Sequence, residues 1–292
     1  MRLHLPLALA TFTLLAGCAA APPHPTSAPT AAAKSADADD NLNAVAWTQT
    51  AIEHDLIYIQ TFRDAQSRLL AALHDPQWDA LTKDDRTTPF TGLPPAVVLD
   101  IDETALDNSP YQARLVKSGG QYDEASWAAW CKEERARAMP GALAFTRYAA
   151  GHGIAVIYLS NRAQDLDTAT LANLRKLGFP VSGPEAFLGL GTVLPGCEQV
   201  GTEKGCRRQL VGRKYRVLMQ FGDQLGDFVD VVANTEAGRK QAIGGYMDWV
   251  GTRWFVLPNP TYGSWEPALF NNDWSAPPAL RRQQKLDTLR YN

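Results

Sequence analysis

Two carboxylates two residues apart, Asp100 and Asp102 in the run Asp100-Ile101-Asp102-Glu103-Thr104, follow directly on an apolar segment, Ala96-Val97-Val98-Leu99. Side chains alternate along an extended chain, so both acids leave the strand on one side while Ile101 points the other way. Such a pair can divide labour: one carboxylate attacks an electrophile, and the other carries the proton that a leaving alkoxide needs. A calcium loop would place the same acids close together, but it requires glycine where Ala105 stands. Two further apolar runs also end in polar residues, Ile154 to Leu159 at Ser160 and Tyr215 to Phe221 at Gly222-Asp223. Three strands therefore deliver polar groups to one edge.

The elements that must hold these residues alternate in type. Strand-like runs separated by helical stretches predict a parallel sheet with helical crossovers, and ligands in such sheets lie beyond the carboxyl ends of the strands. Pro140 and Gly141 open a helix that Gly151 and Gly153 close, and a second helix runs from about Asp165 to Leu177 and stops at Gly178. Ahead of the first strand, residues 42–74 carry Leu42, Val45, Ala46, Ile52, Leu56, Ile59 and Leu69 at helical spacing, which predicts an N-terminal helical segment packed on the core. Residues 105–150, rich in helix formers and aromatics, form an insertion after the first strand.

Composition narrows the classes. The chain has 292 residues with 45% hydrophobic and 20% charged, enough for a sizeable core. Lys plus Arg total 28 against 31 Asp plus Glu, a net charge of -3, so no broad cationic face for a nucleic acid polymer is expected. Residues 1–17 read as a secretory signal, with Arg2 before an apolar stretch and Leu15-Ala16-Gly17 before Cys18. A small-residue site ending in cysteine resembles the bacterial lipobox, which makes Cys18 the lipidated first residue of the mature chain. Residues 18–38, mostly Ala, Pro, Ser and Thr, then form a flexible tether, and 39–292 the folded domain. Ala19 after Cys18 favours the outer membrane, facing either the periplasm or the surface. Of the remaining three cysteines, Cys197 and Cys206 are the favoured bridge.

Taken together, Asp100 to Thr104, Ser160-Asn161-Arg162, Lys204, and Gly222-Asp223-Gln224-Leu225-Gly226-Asp227 resemble the four motifs of haloacid-dehalogenase-superfamily phosphatases. More narrowly, Leu106-Asp107-Asn108-Ser109, Met139-Pro140-Gly141 and the run from Asn259 to Glu266 are similar to class C acid phosphatases of the lipoprotein e(P4) type. The resemblance implies a Rossmann-like parallel sheet flanked by helices with a small, mostly helical cap insertion. It implies a phosphomonoesterase that hydrolyses nucleoside 5'-monophosphates and other organic phosphomonoesters. Asp100 would take the phosphoryl group, and Asp102 would protonate the leaving group and then activate water. Acids alone repel phosphate, so a divalent cation is required, and magnesium suits an all-oxygen set of Asp100, the Asp102 backbone carbonyl and Asp223. Asp227 supports that site from behind. Ser160, the Asn161 backbone and Lys204 hold the phosphoryl oxygens.

The resemblance also selects Trp127 and Tyr262 as the pair that stacks on a base, a mode that accepts aryl phosphates as well. An acidic optimum follows if Asp102 must enter the first step protonated. The partners expected are small phosphomonoesters and, through Cys18, a membrane; a homodimer is compatible with the sequence. Two rivals were weighed. A dehalogenase needs no second acid at Asp102, and a non-catalytic surface lipoprotein binding a ligand such as haem has no use for the intact acids.

Overall fold

In a computed structural model, residues 40–291 are described. The signal, tether and lipidation expectations for residues 1–38, Cys18 included, lie outside them. Two helices lead, α1 (Leu42–Thr50) and α2 (Ile52–His74), separated by the extended backbone of Ala51. Then follow β1 (Pro95–Leu99), β2 (Leu106–Asp107), α3 (Ser109–Ser118), α4 (Glu124–Lys132), β3 (Arg137–Ala138) and α5 (Ala142–Gly151). The chain continues through β4 (Ala155–Ala163), α6 (Asp167–Leu177), β5 (Phe187–Leu190), α7 (Gly205–Lys214), β6 (Arg216–Gly222), α8 (Glu236–Gly244), β7 (Trp254–Val256) and α9 (Pro278–Asp287).

Five strands form one sheet in the order β5-β4-β1-β6-β7, with every pairing parallel. β1 is central, its Leu99 registered against Tyr158 of β4 and Phe221 of β6. From β1 the chain crosses to β4 and β5 on one side and later fills β6 and β7 on the other, so the order reverses at β1. Reversal opens a crevice at the carboxyl end of that strand, and Asp100 is its first residue beyond the sheet. The expected α/β core, helical cap and N-terminal helical segment are all present. The antiparallel β2–β3 ribbon encloses α3 and α4, while α5 returns to pack on α2 and β4.

Of the apolar positions expected to face the core, Val45 and Leu69 are buried. Tyr58, Phe62, Ala65, Leu69 and Ala72 form the buried stripe of α2, whereas Leu42, Ile52 and Leu56 are exposed. Ala51 divides the helical segment into α1 and α2, and α2 packs through the stripe that begins at Tyr58. Phe62 stacks on Phe221 at 5.2 Å between centroids. Gly141 permits the close approach of this helix: its φ of 87° is left-handed, and a Cβ there would stand 3.1 Å from Phe62 Cβ. Neither β5 nor the three-residue β7 was anticipated. Among the described residues no helix is long and apolar enough to cross a membrane.

Candidate active site

After Leu99 the chain turns about Ile101, whose carbonyl accepts from the backbone of Ala105 at 2.9 Å and of Leu106 at 2.8 Å. Ile101 is fully buried in the apolar core, whereas Asp100 and Asp102 meet cationic side chains. Lys204 Nζ lies 2.5 Å from Asp100 Oδ1, 2.6 Å from Asp227 Oδ1 and 3.0 Å from the Leu159 carbonyl. Burial works against the Lys204 ammonium, but the two carboxylates outweigh it and hold its pKa above the ordinary value. The lysine, read from residues 104 positions apart, thus reaches the first acid directly.

Oxygens of Asp100, Asp223 and Asp227 lie within 4.8 Å of one another. Burial first, then the charges of Asp227, Asp223 and Asp102 against the relief from Lys204, raise the pKa of Asp100 well above the carboxylate range. Burial and the Asp227 charge push Asp223 up to about 7. Both shifts mean that one ammonium does not balance the carboxylates, the electrostatic condition for a cation site. Asp227 has both oxygens occupied, Oδ1 by Lys204 and Oδ2 by the Gln224 amide at 2.9 Å. Asp223 accepts from Gln224 and Asn259 on Oδ2 at 2.7 and 2.8 Å, and Asp100 accepts from Lys204 on Oδ1. No donor among the described residues takes the second oxygen of either. The all-oxygen donors therefore fit a hard divalent cation, to which Asp100 and Asp223 would each present an oxygen with Asp227 behind them. Gly222 admits this arrangement, because a Cβ there would fall 2.1 Å from Asp227 Oδ2.

Asp102 is held by a group that the sequence reading did not assign. Its Oδ1 accepts from Arg162 Nε and Nη2 at 2.9 and 2.8 Å and from Asn108 Nδ2 at 2.8 Å. Ser160 Oγ stands 3.3 Å from Oδ2 and accepts the Arg162 amide at 3.0 Å. Arg162 was legible in principle, since it stands two residues beyond Ser160 on β4 and shares its face. Asn161 is exposed, and its side-chain oxygen accepts from Arg207 at 2.7 Å. Arg207 and Arg208, which could have been surface charges, are both buried.

The aromatic pair is anchored rather than free. Trp127 sits edge-on to Tyr111 at 5.1 Å, with the Arg162 guanidinium 5.5 Å over its ring. The Tyr262 hydroxyl donates to Glu103 Oε2, whose other oxygen accepts the Asn108 amide at 2.7 Å. Among the described residues the two rings do not touch each other. Each nevertheless reaches the loop after β1, Trp127 through Arg162 to Asp102 and Tyr262 through Glu103. Asn259 orients the loop bearing Tyr262, accepting from the Thr261 amide at 2.9 Å while donating to Asp223. Glu103, Asn108, Gln224 and Asn259 were not assigned, and only their places in the quoted motifs pointed to them.

Cys197 and Cys206 form a disulfide with Cα atoms 5.7 Å apart, closing the loop that carries Lys204, and Cys131 is a buried free thiol. Cys197→Ser should lower stability by roughly 2–3 kcal/mol, the chain-entropy value for so short a loop. Urea midpoints with and without reductant check this, since reductant should move only the parent protein.

The family model described as HAD superfamily, subfamily IIIB (acid phosphatase) matches residues 29–265. Two soybean (Glycine max) proteins, a stem 31 kDa glycoprotein and a stem 28 kDa glycoprotein, are each 26% identical over 165 and 166 residues, 56% of this chain. The chain spans 58% of the length of each. Structures of a class C acid phosphatase from Bacillus anthracis, one with tungstate bound, are 33% identical with a TM-score of 0.73. Each covers 86% of this chain and 97% of its own.

Proposed function

Since the chain belongs to the subfamily IIIB acid phosphatases of the HAD superfamily, we propose that it is a magnesium-dependent phosphomonoesterase acting on nucleoside 5'-monophosphates and related esters through an aspartyl-phosphate. The observation that carries this reading is the contact of Lys204 with Asp100 at 2.5 Å beside two further acids, Asp227 buried and Asp223 partly so. That constellation sets an ammonium against the attacking carboxylate and leaves acids that would hold a cation to neutralise an arriving phosphate.

Asp100 attacks phosphorus through a carboxylate oxygen, and the ester P–O bond breaks as the acyl phosphate forms. Asp102 delivers its proton to the leaving alkoxide. Arg162 and Asn108 occupy Oδ1, so Oδ2 is the oxygen that carries the proton. In the second half, Asp102 accepts a proton from water as the oxygen attacks phosphorus, which releases phosphate and restores Asp100. Ser160 Oγ and the Asn161 amide hold the phosphoryl oxygens, and Lys204 balances their charge. Magnesium, held by Asp100, Asp223 and the Asp102 carbonyl, would supply the remaining neutralisation of phosphate charge.

Trp127 and Tyr262 are proposed to bracket the base, with Glu103 fixing the tyrosine ring by its hydroxyl. Removing a stacking ring costs ~1–3 kcal/mol, so Tyr262→Ala should raise KM for adenosine 5'-monophosphate by about tenfold or more. KM for a small alkyl phosphate should barely move, and equal effects on both would refute the stacking role. The membrane anchor at Cys18 and an outer-membrane location belong to the same reading; Cys18→Ser should release the protein into the soluble fraction.

The assay that decides the function is turnover of p-nitrophenyl phosphate by the purified chain with magnesium and with chelator. Magnesium-dependent release is expected, strongest in acid, and ranking nucleotides against sugar phosphates then fixes the substrate class. Absence of turnover with magnesium present would overturn the reading.

A further inference from the structure

α7 opens with two consecutive arginines that find opposite kinds of partner. Arg208 pairs with carboxylates, Nε to Asp85 Oδ2 at 2.7 Å and Nη2 to Asp230 Oδ1 at 2.6 Å. Arg207 is buried to the same 1% exposure, yet no carboxylate among the described residues touches it. Its acceptors are neutral: the Ser160 carbonyl at 2.5 Å, Asn161 Oδ1 at 2.7 Å, and the Thr202 and Glu203 carbonyls at 3.2 and 3.1 Å. Its Nε has no hydrogen-bond partner among the described residues. Burying a guanidinium without a counter-ion is expensive, and neutral acceptors offset only part of that cost.

The acceptors are placed with a purpose. Two belong to the end of β4, where Ser160 and Asn161 stand, and two belong to the loop immediately before Lys204. A single planar side chain therefore joins the two segments that carry the proposed phosphate-holding groups, and its fork geometry suits several acceptors at once. Burial first, then the Arg208 charge, lower its pKa to about 10, while the charges of Asp100 and Asp227 act in the opposite sense. No anion in contact balances this cation, and a substrate dianion would arrive beside it.

We propose that Arg207 is a positioning residue for phosphoryl transfer, clamping the Ser160–Asn161 segment to the Lys204 loop and lending its unpaired charge to the bound phosphate dianion. The proposal rests on the phosphatase reading. Its test compares the full chain with Arg207→Met and Arg207→Lys, measuring kcat and KM on p-nitrophenyl phosphate, the inhibition constant of inorganic phosphate, and Tm. Arg207→Met should lose roughly 10–100-fold in kcat and weaken inorganic phosphate about tenfold. Arg207→Lys, which keeps the charge but not the fork, should recover phosphate affinity and leave kcat low. A lowered Tm with parental kcat and phosphate affinity would assign Arg207 to stability alone and overturn the proposal. Should Arg207→Met fail to fold, Arg207→Lys decides by its kcat. An active parent with unaffected variants sinks this inference only, whereas an inactive parent sinks the phosphatase reading and this inference with it.

Discussion

Asp100→Asn is expected to lower turnover by at least about 10⁴-fold, the scale seen when a covalent nucleophile is removed, while the protein stays folded and its Tm does not fall. An amide nitrogen in place of one oxygen cannot form the acyl phosphate, and the remaining groups can only bind the ester. Stability should move the other way because Asp100 is a desolvated carboxylate raised in pKa by burial. Removing that charge relieves repulsion from Asp227, Asp223 and Asp102, and Lys204 keeps Asp227 at 2.6 Å and the Leu159 carbonyl. Kinetics on p-nitrophenyl phosphate together with a melting curve check both halves. Residual turnover within tenfold of the parent would remove Asp100 as nucleophile. Collapse of the fold would instead show that Lys204 depends on that carboxylate, and then beryllium fluoride trapping on the parent chain should still place an adduct on Asp100.

Local patterns carried the reading of β1, β4 and β6, because each holds a mostly apolar run followed by polar residues, the signature of a buried parallel strand. Asp100 and Asp223 could be placed for the same reason, each standing one residue beyond a strand, with Asp102 two residues on and Ser160 in the last half of β4. Lys204 lies in a loop and was found only through the motif set. What stayed hidden depends on contacts between distant residues. The Tyr262–Glu103 hydrogen bond joins positions 159 apart, and no periodicity in either segment announces it. Arg207 and Arg208 look like solvated charge in sequence, since burial of a guanidinium is sensible only once Asp85, Asp230 and the β4 carbonyls are in place. On α2 the expected Leu69 is buried but Ile52 and Leu56 are exposed, because packing on Phe221 and α5 selects the stripe through Tyr58 and Phe62.

With divalent cations chelated, thermal stability should fall as pH rises from about 4 to about 7, and magnesium should restore it mainly at the upper end. Asp223 drives this, its pKa raised from 3.8 to about 7 by burial and by Asp227, with Asp100 displaced in the same direction. A carboxyl that binds its proton more tightly folded than unfolded favours the fold fully below its unfolded pKa. That contribution is lost as pH climbs through the folded value. Three units at about 1.4 kcal/mol each bound the Asp223 share at roughly 4 kcal/mol, a melting shift on the order of 10 °C for a domain of this size. Magnesium reverses the slope because it binds the ionised form, so each carboxylate that must shed a proton weakens apparent metal affinity about tenfold per unit of falling pH. Melting curves at pH 4 to 8 in chelator and in magnesium measure both terms, and Asp223→Asn should flatten the chelator series. A chelator series already flat in the parent, or a magnesium effect as large at pH 4 as at pH 8, would mean that the cluster is not short of positive charge. The case for a cation at Asp100 and Asp223 would then lose its electrostatic basis.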